Sequence, residues 1–164
     1  MVLKTKDARN IMKKNILLCS VLMIALLSSC CNEENVNMGL IVSNLEIPDF
    51  DQNYDGGCYN IPDTLCIKDD DTYRKTFARI SYTSDCNTLT LPPVDFSEYS
   101  ILIYKRFVMA NARFHRNVII NIPNKMVVYT ITTRNCFCAD VCESFSYNIV
   151  LIPKVGDGYK VIYK

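Results

Sequence analysis

A mostly β chain of the α+β class, an antiparallel meander, sandwich or open barrel with one short N-terminal helix, is predicted by three features of the 164-residue sequence. From Tyr99 onward, apolar residues recur at every second position, which is the period of a half-buried strand. The turn signals Pro123-Asn124 and Gly156-Asp157-Gly158 punctuate that pattern, as hairpins require. The helical spacing is confined to Tyr73, Phe77 and Ile80, an i, i+4, i+7 stripe behind Asp69, Asp70 and Asp71. With 49% hydrophobic and 21% charged residues, the chain is neither disordered nor collagen-like.

Element by element, residues 47–63 are rich in Asp, Asn, Gly and Pro and read as loop. Thr64 to Lys68 reads as a short strand, and Asp71 to Arg79 as the helix. The aspartate triplet suits a helix start, through capping and the macrodipole, better than a cation site. Leu91 to Tyr99 reads as a capped turn, with Asp95 and Glu98 spaced as in a capping box. In the next strand Ala112, Phe114, Val118, Ile120 and Ile122 share one face, interrupted by Arg116; Arg113, His115, Asn117 and Asn121 share the wet face. Lys125 to Thr133 forms the next strand, and Phe145, Tyr147, Ile149 and Leu151 then alternate with Ser146 and Asn148. Tyr159, Val161 and Tyr163 close the series. Consecutive hairpins of this kind make a meander.

The N-terminal part has a different logic. Lys13 and Lys14 precede an apolar run of 12 residues, Ile16 to Leu27. A spanning helix needs about 20 apolar residues, so the run has the dimensions of a secretory signal. Residues 1–11 add nothing to that pattern, which leaves Met1 or Met12 as the start. Leu27-Ser28-Ser29-Cys30 resembles the lipobox of bacterial lipoproteins, in the serine variant of Bacteroidota-type exported proteins, and Glu33 and Glu34 resemble their surface-export signal. That resemblance implies lipidation at Cys30 and attachment to the outer membrane, exposed at the cell surface; the competing reading is a plain signal peptide cleaved near Ser29. Several acyl chains would make a durable anchor. The expected organisation is residues 1–29 as upstream residues and signal, 30–46 as a lipidated flexible tether, and 47–164 as one β-rich domain.

From Cys30 the chain has 135 residues with 13 basic against 16 acidic side chains. A basic cluster is missing, which argues against nucleic-acid binding. Six cysteines fall in the domain: Cys58, Cys66, Cys86, Cys136, Cys138 and Cys142. An even number in an exported chain points to disulfides, and two or three bridges are expected. Cys58 and Cys66 flank a short loop suited to local pairing, while Cys136 and Cys138 face one side of an extended segment and would reach to Cys142 or Cys86. A thiolate metal site is disfavoured, because CxC followed by CxxxC lacks the second pair that zinc sites use.

Other chemistry is sparse. Asp51, Asn53 and Asp55 with Gly56 match the first half of a calcium loop, but Pro62 stands where the bidentate Glu belongs, and a surface turn has the same composition. Asp63-Thr64-Leu65 resembles the short O-glycosylation acceptor of Bacteroidota-type exported proteins. The one histidine, His115, reads as a solvent-facing strand residue rather than a base. No GxSxG, HExxH or phosphate-cradling glycine loop occurs, so no catalytic residue, metal or cofactor is assigned.

Pro93-Val94-Asp95-Phe96-Ser97 and Tyr147-Asn148-Ile149-Val150-Leu151-Ile152-Pro153-Lys154 resemble the C-terminal domain of the spirochaete protease-complex subunit family. The glycine-rich turn between that family's first two strands is replaced here by Met109-Ala110-Asn111-Ala112. The resemblance implies a non-catalytic accessory lipoprotein that contacts another envelope protein, with its ten tyrosines as an exposed contact supply. The alternative is a carbohydrate- or small-ligand-binding lipoprotein using tyrosine platforms; the absence of tryptophan counts against sugar stacking.

Overall fold

A computed structural model describes residues 34–51, 58–80, 86, 88–109, 112–134 and 143–164. In chain order they form β1 (Val36–Gly39), β2 (Ser43–Asn44), β3 (Thr64–Ile67), α1 (Asp70–Thr76), β4 (Tyr99–Met109), β5 (Arg113–Asn121), β6 (Met126–Arg134), β7 (Glu143–Pro153) and β8 (Lys160–Tyr163). The described residues are mostly β with one short helix, the class that the alternating pattern and the Tyr73–Phe77 stripe predict.

The pairing is richer than a meander. β4 and β7 pair antiparallel at eleven positions, from Tyr99↔Pro153 to Met109↔Glu143. β5 and β6 pair from Arg113↔Arg134 to Asn121↔Met126. The four strands are therefore one long hairpin, with its tip at residues 122–125, folded across its middle so that the tip half joins a different sheet. At the tip Pro123 presets the turn, Lys125 N–H donates to the Ile122 carbonyl (3.1 Å) and Lys125 takes a left-handed φ of 47°. Two four-stranded sheets result: an outer sheet ordered β1-β5-β6-β8 and a central sheet ordered β2-β7-β4-β3. β1 joins β5, and β8 joins β6, in parallel. Period-two patterning specifies that a segment is a strand but not its partner, so these parallel additions carry no local signal.

The central sheet is buried on both faces. Leu102, Val150 and Ile152 meet Phe114, Val118, Val127, Tyr129 and Ile131 of the outer sheet. On the opposite face Ile101, Ile103, Tyr147, Ile149 and Ile67 pack under α1 and the loops that carry Leu45, Phe50, Tyr59 and Ile61. Phe50 sits in the middle of that layer, with ring centroids 5.9 Å from Tyr59, 5.7 Å from Phe77 and 5.7 Å from Tyr147. Burying one such phenylalanine is worth about 1.5–3 kcal/mol. A bridge between Cys58 and Cys86, separated by 28 residues, closes the same layer.

α1 begins one residue earlier than its pattern suggests and ends at Thr76. Asp69 is the N-cap, accepting from Thr72 N–H at 2.7 Å and from its hydroxyl at 2.9 Å. Asp70 pairs with Arg74, and Asp71 with Lys75, one turn apart. Tyr73 and Phe77 are buried as the stripe requires, whereas Ile80 lies beyond the helix and is exposed. Burial pushes the Tyr73 hydroxyl up to about 12, aided by Asp70.

Residues 36–44, expected to lie in a flexible tether, instead form β1 and β2, which add one edge strand to each sheet. Gly39 makes the crossing between them possible: its φ is +70°, and a Cβ there would stand 2.1 Å from the Val118 carbonyl oxygen.

Two outcomes follow. Replacing both Cys58 and Cys86 with Ala lowers the unfolding free energy by about 2–4 kcal/mol in a denaturant titration. Hydrogen bonds from Thr72 hold the Asp69 carboxyl below its ordinary range, so its contribution is present above the unfolded carboxylate pKa and is lost as pH falls through the folded value. The melting-temperature gap between wild type and Asp69→Ala is therefore widest near neutrality and narrows in acid.

Candidate functional site

The cysteines divide between the two cores. Cys58 and Cys86 are buried in the helix-side layer and bonded to one another, which corrects the local Cys58–Cys66 pairing. Cys66 cannot serve that bond, because at position Cys66↔Leu102 on β3 it faces the core between the sheets, on the other side of the central sheet from Cys58. It is a free, half-buried thiol. Burial raises its pKa, outweighing the nearby Lys68 and Lys154 ammonium groups, so it is a poor nucleophile. Cys136, Cys138 and Cys142 lie outside the described residues, as do Cys30 and, except for Asp51, the calcium-like loop through Asn53 and Asp55. Among the described residues no cluster of three His, Cys, Asp or Glu side chains is placed to hold a metal ion.

Asp95 caps a turn, and hydrogen bonds from Ser97 and from the Glu98 N–H hold its carboxyl below the ordinary range. Its carboxylate accepts from Ser97 N–H (2.9 Å) and the Ser97 hydroxyl (2.6 Å), and its carbonyl accepts from Tyr99 N–H (2.9 Å). That Asx turn launches β4. His115 lies half-buried on the free face of the outer sheet, beside Thr132 on β6 and Val36 on β1.

The residue that interrupts the apolar face of β5 is the unusual one. Arg116 points between the sheets and is 6% exposed. Its Nε donates to Asn148 Oδ1 at 2.7 Å, and the guanidinium lies 4.9 Å from the Phe114 ring centroid. Nη1 has no acceptor, and no carboxylate pairs with Arg116 among the described residues. Burial lowers its pKa, although arginine stays protonated in proteins. Around it the core turns polar: Ser146 and Asn148 are buried on β7, and Tyr104, Tyr129 and Tyr163 form an edge-on cluster with centroids 5.3–6.1 Å apart. The Tyr129 and Tyr163 hydroxyls are buried without partners among the described residues, and burial raises both pKa values. Arg106 donates to the Tyr104 hydroxyl at 3.0 Å. One end of the sandwich interior is thus rich in donors and short of acceptors. The pattern marked Arg116 as out of place, but the tyrosine cluster and Asn148 carry no such mark.

Three surface features complete the description. The outer sheet has one uncovered face, on which Ile119 is 55% exposed and Met38 and Val36 stand beside uncharged Asn117, Thr130 and Thr132. Phe107 and Phe145 are cross-strand partners on the helix-side face of the central sheet, beyond the layer that covers it; they are 55% and 50% exposed, with centroids 5.1 Å apart. Beside α1 a cleft of about 280 Å³ is lined by Arg74, Phe77, Arg79 and Leu89. The tyrosines, by contrast, are not the exposed supply that was expected: none of those described is exposed, because their rings fill the two cores. Ile122, assigned by its parity to the core face, is exposed in the hairpin tip.

No protein-family model matches the chain, and no curated protein or solved structure is significantly similar to it.

Asn148→Ala removes the acceptor of a buried guanidinium and lowers the unfolding free energy by about 2–3 kcal/mol. Arg116→Met, which removes the charge but keeps the bulk, is neutral or stabilising in the same titration. Mass-spectrometric mapping after iodoacetamide finds Cys66 unmodified in native protein and modified in denaturant.

Proposed function

We propose that the protein is a membrane-tethered, non-catalytic binding lipoprotein of the bacterial cell envelope, anchored at Cys30, that acts through protein–protein contacts in the manner of a protease-complex subunit. The supporting observation is the uncovered face of the outer sheet. The central sheet has both faces packed, whereas this face leaves Ile119, Met38 and Val36 in solvent among Asn and Thr side chains. Contiguous exposed apolar residues rimmed by polar ones mark interaction sites. A face whose middle holds no Lys, Arg, Asp or Glu suits another protein better than a phosphate-bearing polymer. The described tyrosines are drawn into the cores, which removes the platforms that a sugar-binding reading uses.

A photo-crosslinking side chain placed at Ile119 in the lipidated protein on its native envelope captures a discrete partner. The same side chain at Ile80, equally exposed but on the opposite layer, does not. Identical patterns from the two positions, or capture from neither, exclude this face as a contact surface.

A further inference from the structure

We propose that the folded-over end of the sandwich rests on the membrane that holds the anchor, with Phe107 and Phe145 entering the headgroup region and Lys105 facing lipid phosphate. The proposal builds on the lipid-anchor reading and adds an orientation and a second point of membrane contact.

The first argument is length. The described chain enters the fold at the fold of the long hairpin: Asn35 Oδ1 accepts from Phe114 N–H at 2.9 Å, and Val36 pairs with His115 at the start of β5. Only four residues lie between Cys30 and Asn35, and the five residue steps, fully extended, reach no more than about 18 Å. β4 and β7, eleven residues each, run about 35 Å along the sandwich. The anchored end is thus confined near the bilayer, while the hairpin tip is free to stand away from it.

The second argument is what that end carries. Phe107 lies near the end of β4 and Phe145 near the start of β7, paired in register and both half in solvent. These are the exposed phenylalanines of a domain that buries its other described aromatic rings wholly or in part. The Lys105 ammonium stands 4.7 Å from the Phe145 centroid and 4.9 Å from that of Tyr147, and Asp63 lies 3.8 Å from it. Arg106 and Arg113 belong to the same end, as do the Glu34 and Asp63 carboxylates. Aromatic rings with an amine beside them settle at a bilayer interface, the rings among the upper acyl carbons and the amine toward phosphate. Two rings bind a membrane weakly by themselves; held there by an anchor, they need only set the orientation.

The natural chain contains no tryptophan, so single-tryptophan variants report their own surroundings. Phe107→Trp, Phe145→Trp and, as a control at the far tip, Ile122→Trp are made in the full lipidated chain. Each is reconstituted on vesicles of phosphatidylethanolamine and phosphatidylglycerol brominated near the headgroup. The expected result is loss of emission at positions 107 and 145, none at 122, and weaker loss at 107 when Lys105→Glu is added. Emission at 107 and 145 that stays as bright and as accessible to aqueous iodide as at 122 overturns the docking. Flotation separates the two readings: protein that floats with vesicles only when Cys30 is intact retains the anchor whatever the tryptophans report. Protein that does not float with Cys30 intact overturns the anchor and the docking together.

Discussion

The rest of the fold depends on the ladder between β4 and β7. It joins Tyr99–Met109 to Glu143–Pro153 at eleven positions, across the whole of β5 and β6, and it is buried on both faces. Its doubly covered part is largely apolar: Ile101 and Ile103 of β4 face the helix layer, and Leu102 faces the outer sheet beside a single buried serine, Ser100. Once the ladder forms, β5 and β6 between its strands fold back over one face, joined there by β1 and β8, while α1 and the loops that carry Leu45, Phe50, Tyr59 and Ile61 cover the other. The outer sheet and the Phe50 layer are those two coverings.

Burial on both sides has a local cost. Where the hairpin folds over, the core between the sheets holds Arg116, Asn148, Ser146 and three tyrosines in place of the aliphatic side chains found toward the tip. A guanidinium paired only with an amide is far less compensated than one paired with a carboxylate. Asn148 matters because its carbonyl oxygen takes Nε while its amide group stays close to backbone carbonyls of Ser146 (3.3 Å) and Tyr104 (3.5 Å). The polar half of the interior is therefore organised by one amide side chain, and its spare donors make it the least settled part of the core.

Above these constraints the two surface features divide the labour. The uncovered face of the outer sheet supplies apolar area with no charged side chain in its middle. The folded-over end supplies aromatic rings and a lysine close to where the described chain enters the fold. If both readings hold, a short tether and a second membrane contact turn the free sheet face sideways, where a neighbour in the same envelope can reach it. Effective concentration then does what a modest apolar area cannot do alone.

Strand identity, the position of the helix and the tip turn were legible locally, because they rest on period, capping and proline geometry: Asp69 before Tyr73 and Phe77, Pro123 before Asn124, and alternating Phe114, Val118 and Ile120. Arg116 was legible as an interruption, though not as a buried cation. The partner of each strand was not legible, since period two says which residues share a face and nothing about what that face meets. Hence the strands in residues 36–44 passed for tether, because edge strands this short bury little and need no apolar pattern. Cys58 chose Cys86 over the nearer Cys66 because the central sheet stands between them. By itself the sequence determined which segments extend and which residues turn inward, for those are set within a few residues by backbone sterics and solvation. Only the tertiary structure decided which cysteine stays free, which tyrosines are hidden and where the chain enters, for those depend on contacts between segments that the sequence holds far apart.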